Sequence, residues 1–81
     1  MVIKMKNLRQ FIAIIEKEEN TYVSFCPELD IASQGDTIEE ARNNLKEAIE
    51  LFVEIASNNE ITKRIHSEVF ITQLAITVGQ A

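Results

Sequence analysis

The chain has 81 residues, of which 46% are apolar and 26% charged, and carries a formal net charge of −5. That length gives one domain, residues 1–81, near the lower limit for a self-sufficient core, and that balance excludes a disordered chain. The acidic excess argues against free nucleic acid as the main partner, because backbone phosphates repel it; it suits a basic protein instead.

No apolar run approaches the roughly 20 residues that a membrane-spanning helix needs. Lys4, Lys6 and Arg9 lead into Phe11–Ile15, but this segment is too short for a signal core and is followed by Glu16. Cys26 is the single cysteine, so an internal disulfide is ruled out and a reducing cytoplasm is expected.

Residues from about Arg9 to Lys17 carry an Ile- and Phe-rich strand pattern that ends at Glu18-Glu19-Asn20. Asn20 tolerates the left-handed conformation of tight turns, so a hairpin into a second strand, Thr21–Cys26, is predicted. Tyr22, Val23 and Phe25 have the β-branched or aromatic character of a strand. Pro27 lacks an N–H and stops the ladder. Ile31–Gln34 is predicted as a third strand, antiparallel to the second, and Gly35 frees the backbone for the turn that follows.

A long amphipathic helix comes next. Thr37 and Glu40 have capping-box spacing, with Asp36 as a competing cap one residue earlier. At 100° per residue, Ile38, Ala41, Leu45, Ala48, Ile49, Phe52, Ile55 and Ala56 fall on one face. Glu40, Asn43, Glu47, Glu50 and Glu54 fall on the other. The helix is expected to fade at Ser57-Asn58-Asn59, and Ile61–His66 reads as a polar, locally basic connection with room for a helical turn.

Glu68–Val78 resumes a β pattern through Val69, Phe70, Ile71, Leu74, Ile76 and Val78. The expected architecture is α+β in two layers, β-β-β-α-β. An antiparallel meander is joined by a parallel fourth strand in the order 3-2-1-4, with one long helix on one face.

One helix covers only one face of such a sheet. Yet strand 1 is apolar on both sides, with Phe11, Ala13 and Ile15 one way and Ile12 and Ile14 the other. Strand 4 repeats this, with Val69, Ile71 and Ala75 against Phe70, Leu74, Ile76 and Val78. Its run from Val69 to Val78 also lacks both charge and proline, which invites pairing. Self-association through Val69, Ile71, Leu74 and Ile76 is therefore expected. Residues 1–8 or 58–67 folding over the face is the simpler alternative, but short polar segments rarely hide that much apolar surface.

No catalytic set is legible. The middle of strand 1 is Ala13-Ile14, and Glu28, Asp30 and Asp36 lie in separate turns, so carboxylates for two-metal chemistry do not converge. His66 has no cysteine or histidine partner for a metal and reads as a solvated loop residue. Cys26 lacks nearby cations, has Glu28 two residues on, and reads as a buried structural thiol. Gly35 and Gly79 belong to no phosphate-binding loop. The glutamates of the helix fit a solvated face, although Glu50 and Glu54 approach a helix C-terminus, where negative charge is mildly unfavourable. No enzyme activity, metal or cofactor is expected.

The joint order of an Ile-rich first strand, Tyr22, Pro27-Glu28-Leu29, Gly35-Asp36-Thr37, Glu39-Glu40-Ala41 and Asn44-Leu45 leading to Glu47-Ala48-Ile49 resembles the core of HicB-family antitoxins. The resemblance covers about Phe11 to Glu54. It implies a reduced RNase H-like fold and an antitoxin of a type II toxin–antitoxin system. Such a protein neutralises a small basic HicA-like mRNA interferase by packing on it and masking its catalytic histidine. Toxin contacts are then expected at Glu28, Asp30 and Asp36 on the turns and Glu47 and Glu50 on the helix.

Complete HicB antitoxins commonly continue into a DNA-binding segment. This sequence ends at Ala81, straight after strand 4, so direct DNA binding is not expected. Two further readings remain: an orphan HicB-like oligomeric adaptor or small-molecule-binding domain without a toxin, and a residual RNA hydrolase.

Overall fold

The computed structural model describes residues 9–65 and 68–79. Its architecture is α+β, with strands β1 (Ile14–Glu18), β2 (Thr21–Cys26) and β3 (Ile31–Gly35) followed by helices α1 (Ile38–Ile55) and α2 (Asn58–Arg64). The three strands form one antiparallel sheet in the order β1-β2-β3. Among the described residues no helix is long and apolar enough to cross a membrane.

The ladder explains why β1 is shorter than its apolar pattern. Ile14 pairs with Phe25 and Glu18 with Thr21, so continuing the register backwards would set Ile12 opposite Pro27. Proline has no N–H to give, and pairing stops. The Ile12 N–H instead donates to both oxygens of the Glu28 carboxylate, each at 3.1 Å. Residues 9–13 therefore follow the sheet without joining it. The β1–β2 turn differs from expectation as well: Glu19 (φ 56°), not Asn20, takes the left-handed conformation. A two-residue hairpin loop needs positive φ at its first central position, and here the position decides rather than the residue preference.

The core lies between the sheet and α1. Cys26, Leu29, Ala41 and Leu45 are fully or almost fully buried, with Phe11, Ile31, Ile49, Phe52 and Ile65 packed against the cluster. Thr37 caps α1: its side-chain oxygen accepts the Glu40 N–H at 3.0 Å, so Asp36 remains outside the cap. Ala56 caps the end of α1, and Ser57 starts the next helix, its side-chain oxygen accepting from Glu60 N at 3.2 Å to cap α2. The expected break before Asn58 is real, and the connection read as having room for a helical turn carries a helix of seven residues that already starts at Asn58. Its position is fixed by Arg64, whose Nε donates to Leu29 O at 2.8 Å and whose guanidinium lies 5.2 Å from the Phe52 ring centre.

Two α1 positions expected on the buried face are exposed, as are Leu51 and Val53, which were not expected there. Ile38 is 57% exposed and Ile55 75%; they are the first and last residues of α1, which packs chiefly on β3 and β2 and least on β1.

The expected fourth strand is not formed among the described residues. Residues 68–79 have no strand partner among the described residues, so the order 3-2-1-4 reduces to a three-stranded sheet. A β pattern specifies a strand only when an edge accepts it, and here the segment stands away as an arm. Phe70 is 83% exposed, Leu74 80% and Val78 84%. The radius of gyration, 16.5 Å, agrees, since a compact chain of this length has about 12 Å.

Candidate functional site: a groove beside the first strand and the acidic face of the long helix

Three long-range contacts set how α1 lies on the sheet. Buried Ser24 of β2 donates its hydroxyl to Ala41 O at 2.8 Å. The Asn44 amide donates to Gln34 O at 2.8 Å, occupying a backbone acceptor of β3. Gly35 supplies the third: a Cβ there would sit 2.5 Å from Ala41 N and 2.8 Å from Glu40 C. No glycine among the described residues has positive φ, so close approach, not a special turn, requires glycine at this position. Gly35, Thr37, Ala41, Asn44 and Leu45, all within the recognised motif, thus dock the helix on the sheet.

α1 packs chiefly on β3 and β2 and least on the first strand. There is an open groove of about 530 Å3, with a floor that includes Phe11, Ala13, Leu45, Ile49 and Val53. Arg42, Lys46, Glu50 and Glu54 rim it on the helix side, where Lys46 and Glu50 pair at 3.2 Å. The outer edge of β1, alongside, has no strand partner among the described residues. The sheet face away from α1 carries Ile14, Val23 and Phe25, the last 37% exposed.

The acidic residues expected to meet a partner do not form one cluster. Glu28 and Asp30 lie in the β2–β3 turn, whereas Asp36 follows the far end of β3, about 17 Å away along five residues of strand. Glu28 is half-buried and engaged internally through Ile12 N and the Cys26 thiol, at 3.1 and 3.5 Å. Asp30 is exposed, has φ 56°, and its carbonyl receives a long 3.5 Å contact from Arg64 Nη2. Glu47 and Glu50 are exposed on α1 with Glu39, Glu40 and Glu54. In the arm, Val69 is half-buried, while Ile71, Leu74 and Ile76 are exposed. His66 lies outside the described residues.

Cys26 is buried at the end of β2. Burial pushes its thiol above the usual value of 9.0; the Leu29 backbone N–H opposes this, and the Glu28 carboxylate adds to the upward push. Such a thiol is a core group held in its neutral form. Among the described residues no group of three or more His, Cys, Asp or Glu side chains is placed to hold a metal ion. Sequence reasoning missed the Ser24 hydroxyl and the structural use of Glu28. A serine and a glutamate in strand and turn give no signal of a partner 17 or 16 residues distant.

No protein-family model matches the chain, and no solved structure does. Similar sequences do exist. The chain is 42% identical over 67 residues to the UPF0150 protein ssr1765 of Synechocystis, covering 78% of this chain and 85% of that protein. It is 43% identical over 58 residues to a UPF0150 protein of Thermotoga maritima, covering 67% and 77%. A UPF0150 protein of Helicobacter pylori is 55% identical over 42 residues, 51% of this chain and 58% of its own. With that identity over most of two relatives' lengths, the chain belongs to the UPF0150 family.

Proposed function

We propose that this protein is a non-enzymatic binding module of the cytoplasm, an antitoxin that neutralises a small basic HicA-like mRNA interferase by covering its active site. The observation that carries this reading is the exposed acidic face of α1. Glu39, Glu40, Glu47, Glu50 and Glu54 stand along one helix with Asp36 before it, in a chain of net charge −5. A negative surface of this kind steers a positively charged protein into encounter and disfavours nucleic acid itself. The HicB-like motif supplies the identity of the partner, and its residues support the reading indirectly: they build the scaffold and leave the helix face unencumbered.

Inhibition would be steric, with α1 laid over the toxin's RNA-binding surface. Glu28 then belongs to the scaffold, and Asp36, Glu47 and Glu50 become the principal contacts. The test is growth rescue. Expression of a small basic toxin-like protein encoded beside this gene should arrest a bacterial host, and co-expression of this chain should restore growth. Arrest that persists despite soluble, folded chain would sink the antitoxin reading.

A second reading, an oligomeric adaptor without a toxin, is favoured by a different observation, the apolar arm 68–79 with Phe70, Leu74 and Val78 exposed. It predicts self-association and no rescue.

A further inference from the structure

We infer that two copies of this chain exchange their C-terminal arms, each arm of residues 68–79 adding as a strand to the free edge of β1 in the other copy and closing that copy's groove against α1. The inference stands independently of any toxin.

The starting point is a mismatch within one molecule. The arm has no charged residue from Val69 to Val78 and exposes Phe70, Ile71, Leu74, Ile76 and Val78. Elsewhere in the same molecule the groove is lined by apolar side chains of α1 and of residues 11–13, which lead into β1, and the outer edge of β1 has no strand partner among the described residues. A row of unpaired backbone groups beside exposed apolar side chains is a template for another strand.

Length and pattern agree with that occupant. Twelve extended residues reach about 40 Å, whereas α1, with 18 residues, is about 27 Å long. The arm can therefore run the whole groove. It is also apolar on both faces, which only a doubly covered strand needs. Beside β1, its Phe70, Leu74, Ile76 and Val78 side would meet one layer and its Val69, Ile71 and Ala75 side the other. At the start of β1 both layers on offer are apolar, Phe11, Leu45 and Ile49 toward α1 and Ile14 with Phe25 on the opposite face, whereas Glu16, Lys17 and Glu18 at its far end are charged and exposed. The uncharged stretch Val69–Val78 also gains nothing from the charged helix rim, so Arg42, Lys46, Glu50 and Glu54 can stay in water at the margin.

Exchange rather than self-filling follows from where the arm stands. It is already outside its own groove and exposed along nearly its full length, in a molecule 67 Å long and 28 by 21 Å across. A strand offered outward in this way, with a receptor edge unpaired among the described residues, is the geometry of a swapped element. Reciprocal exchange closes both grooves with a two-fold axis and leaves no unmatched receptor. The acidic faces of both α1 helices remain outside.

The test uses the whole chain. Light scattering on the unmodified protein should give twice the chain mass, and Leu74→Lys, together with Ile76→Lys in a second variant, should give the single-chain mass with an unchanged helical spectrum. To locate the arm, an isotope-labelled unmodified chain is mixed with unlabelled chain carrying a nitroxide on Lys46→Cys in a Cys26→Ala background. Exchange predicts broadening of arm amides between 69 and 78 in the labelled partner. Three results would overturn it: a single-chain mass for the unmodified protein, a dimer whose arm signals stay sharp in the mixture, or arm broadening only when nitroxide and isotope share one chain. The last would mean that each arm fills its own groove.

Discussion

The Ser24 hydroxyl, fully buried in β2, donates to the carbonyl of Ala41 in the first turns of α1 at 2.8 Å. This bond joins sheet to helix at the centre of the motif. Replacing Ser24 with Ala should lower stability by about 1 kcal/mol, the net worth of one such bond. Ser24→Val should cost more, since it adds bulk where no space exists. Urea unfolding of the two variants against the parent checks both, and equal stability in all three would remove the clamp from the account.

Gly35 faces the same helix turn from β3. Any Cβ would stand 2.5 Å from Ala41 N, a backbone atom that cannot swing aside. Gly35→Ala should therefore destabilise by about 1–3 kcal/mol, the range for overpacking, although its φ would suit alanine. A neutral or stabilising effect in thermal or urea unfolding would contradict the close-approach explanation.

These two residues mark how much the sequence could convey. Strand β2, the Thr37 cap and the buried positions Ala41 and Leu45 were legible because each follows from local chemistry or from helical period. Gly35 was legible as an important glycine, but for the wrong reason: its constraint comes from a helix that packs on it. Ser24, Glu28 and Arg64 were not legible in their structural roles, because their partners are distant in sequence. The arm shows the same limit from the other side. Its period-two pattern announces a strand, yet no pattern names the chain whose edge receives it. The acidic turns were each visible, but only the fold separates Asp36 from Glu28 and Asp30 by the length of β3.

Cys26 gives a pH prediction. Its thiol is raised above 9.0 in the folded protein by burial and by Glu28, so at high pH the folded state holds the proton that the unfolded state has released. Stability from this residue is thus complete below about pH 9 and falls as the pH climbs from there through the raised folded value. Cys26→Ala should flatten the alkaline decline. Paired urea titrations of parent and variant between neutral pH and strong alkali measure the difference, and identical slopes would refute it.

Arg64 bonds Leu29 O and lies over Phe52, tying α2 to the β2–β3 turn. Arg64→Ala should loosen that attachment by about 1.5–3 kcal/mol, the range for a charged hydrogen bond. Lysine should rescue little, because it lacks the planar fork that bonds and stacks together. Hydrogen exchange across 58–65 is the readout: faster exchange there with β2 unaffected is expected, and unchanged protection would show that α2 is held by its apolar contacts alone.

Charge reversal on the helix separates the partner surface from the scaffold. Glu47→Lys with Glu50→Lys should slow association with a basic partner, and the loss should shrink as salt rises, since screening removes steering. Glu28→Gln should instead lower stability, because it weakens the bond to Ile12 N. Reversal at Glu47 and Glu50 without effect on association would move the partner surface elsewhere.

The binding account stands or falls most directly on affinity purification of the tagged, full-length chain from its native cells, with co-purifying proteins identified by mass spectrometry. The account predicts recovery, near one to one, of a small basic protein carrying a toxin-like histidine, released when salt is raised. Recovery of the chain with only its own copies, from cells in which such a toxin is demonstrably expressed, would contradict it.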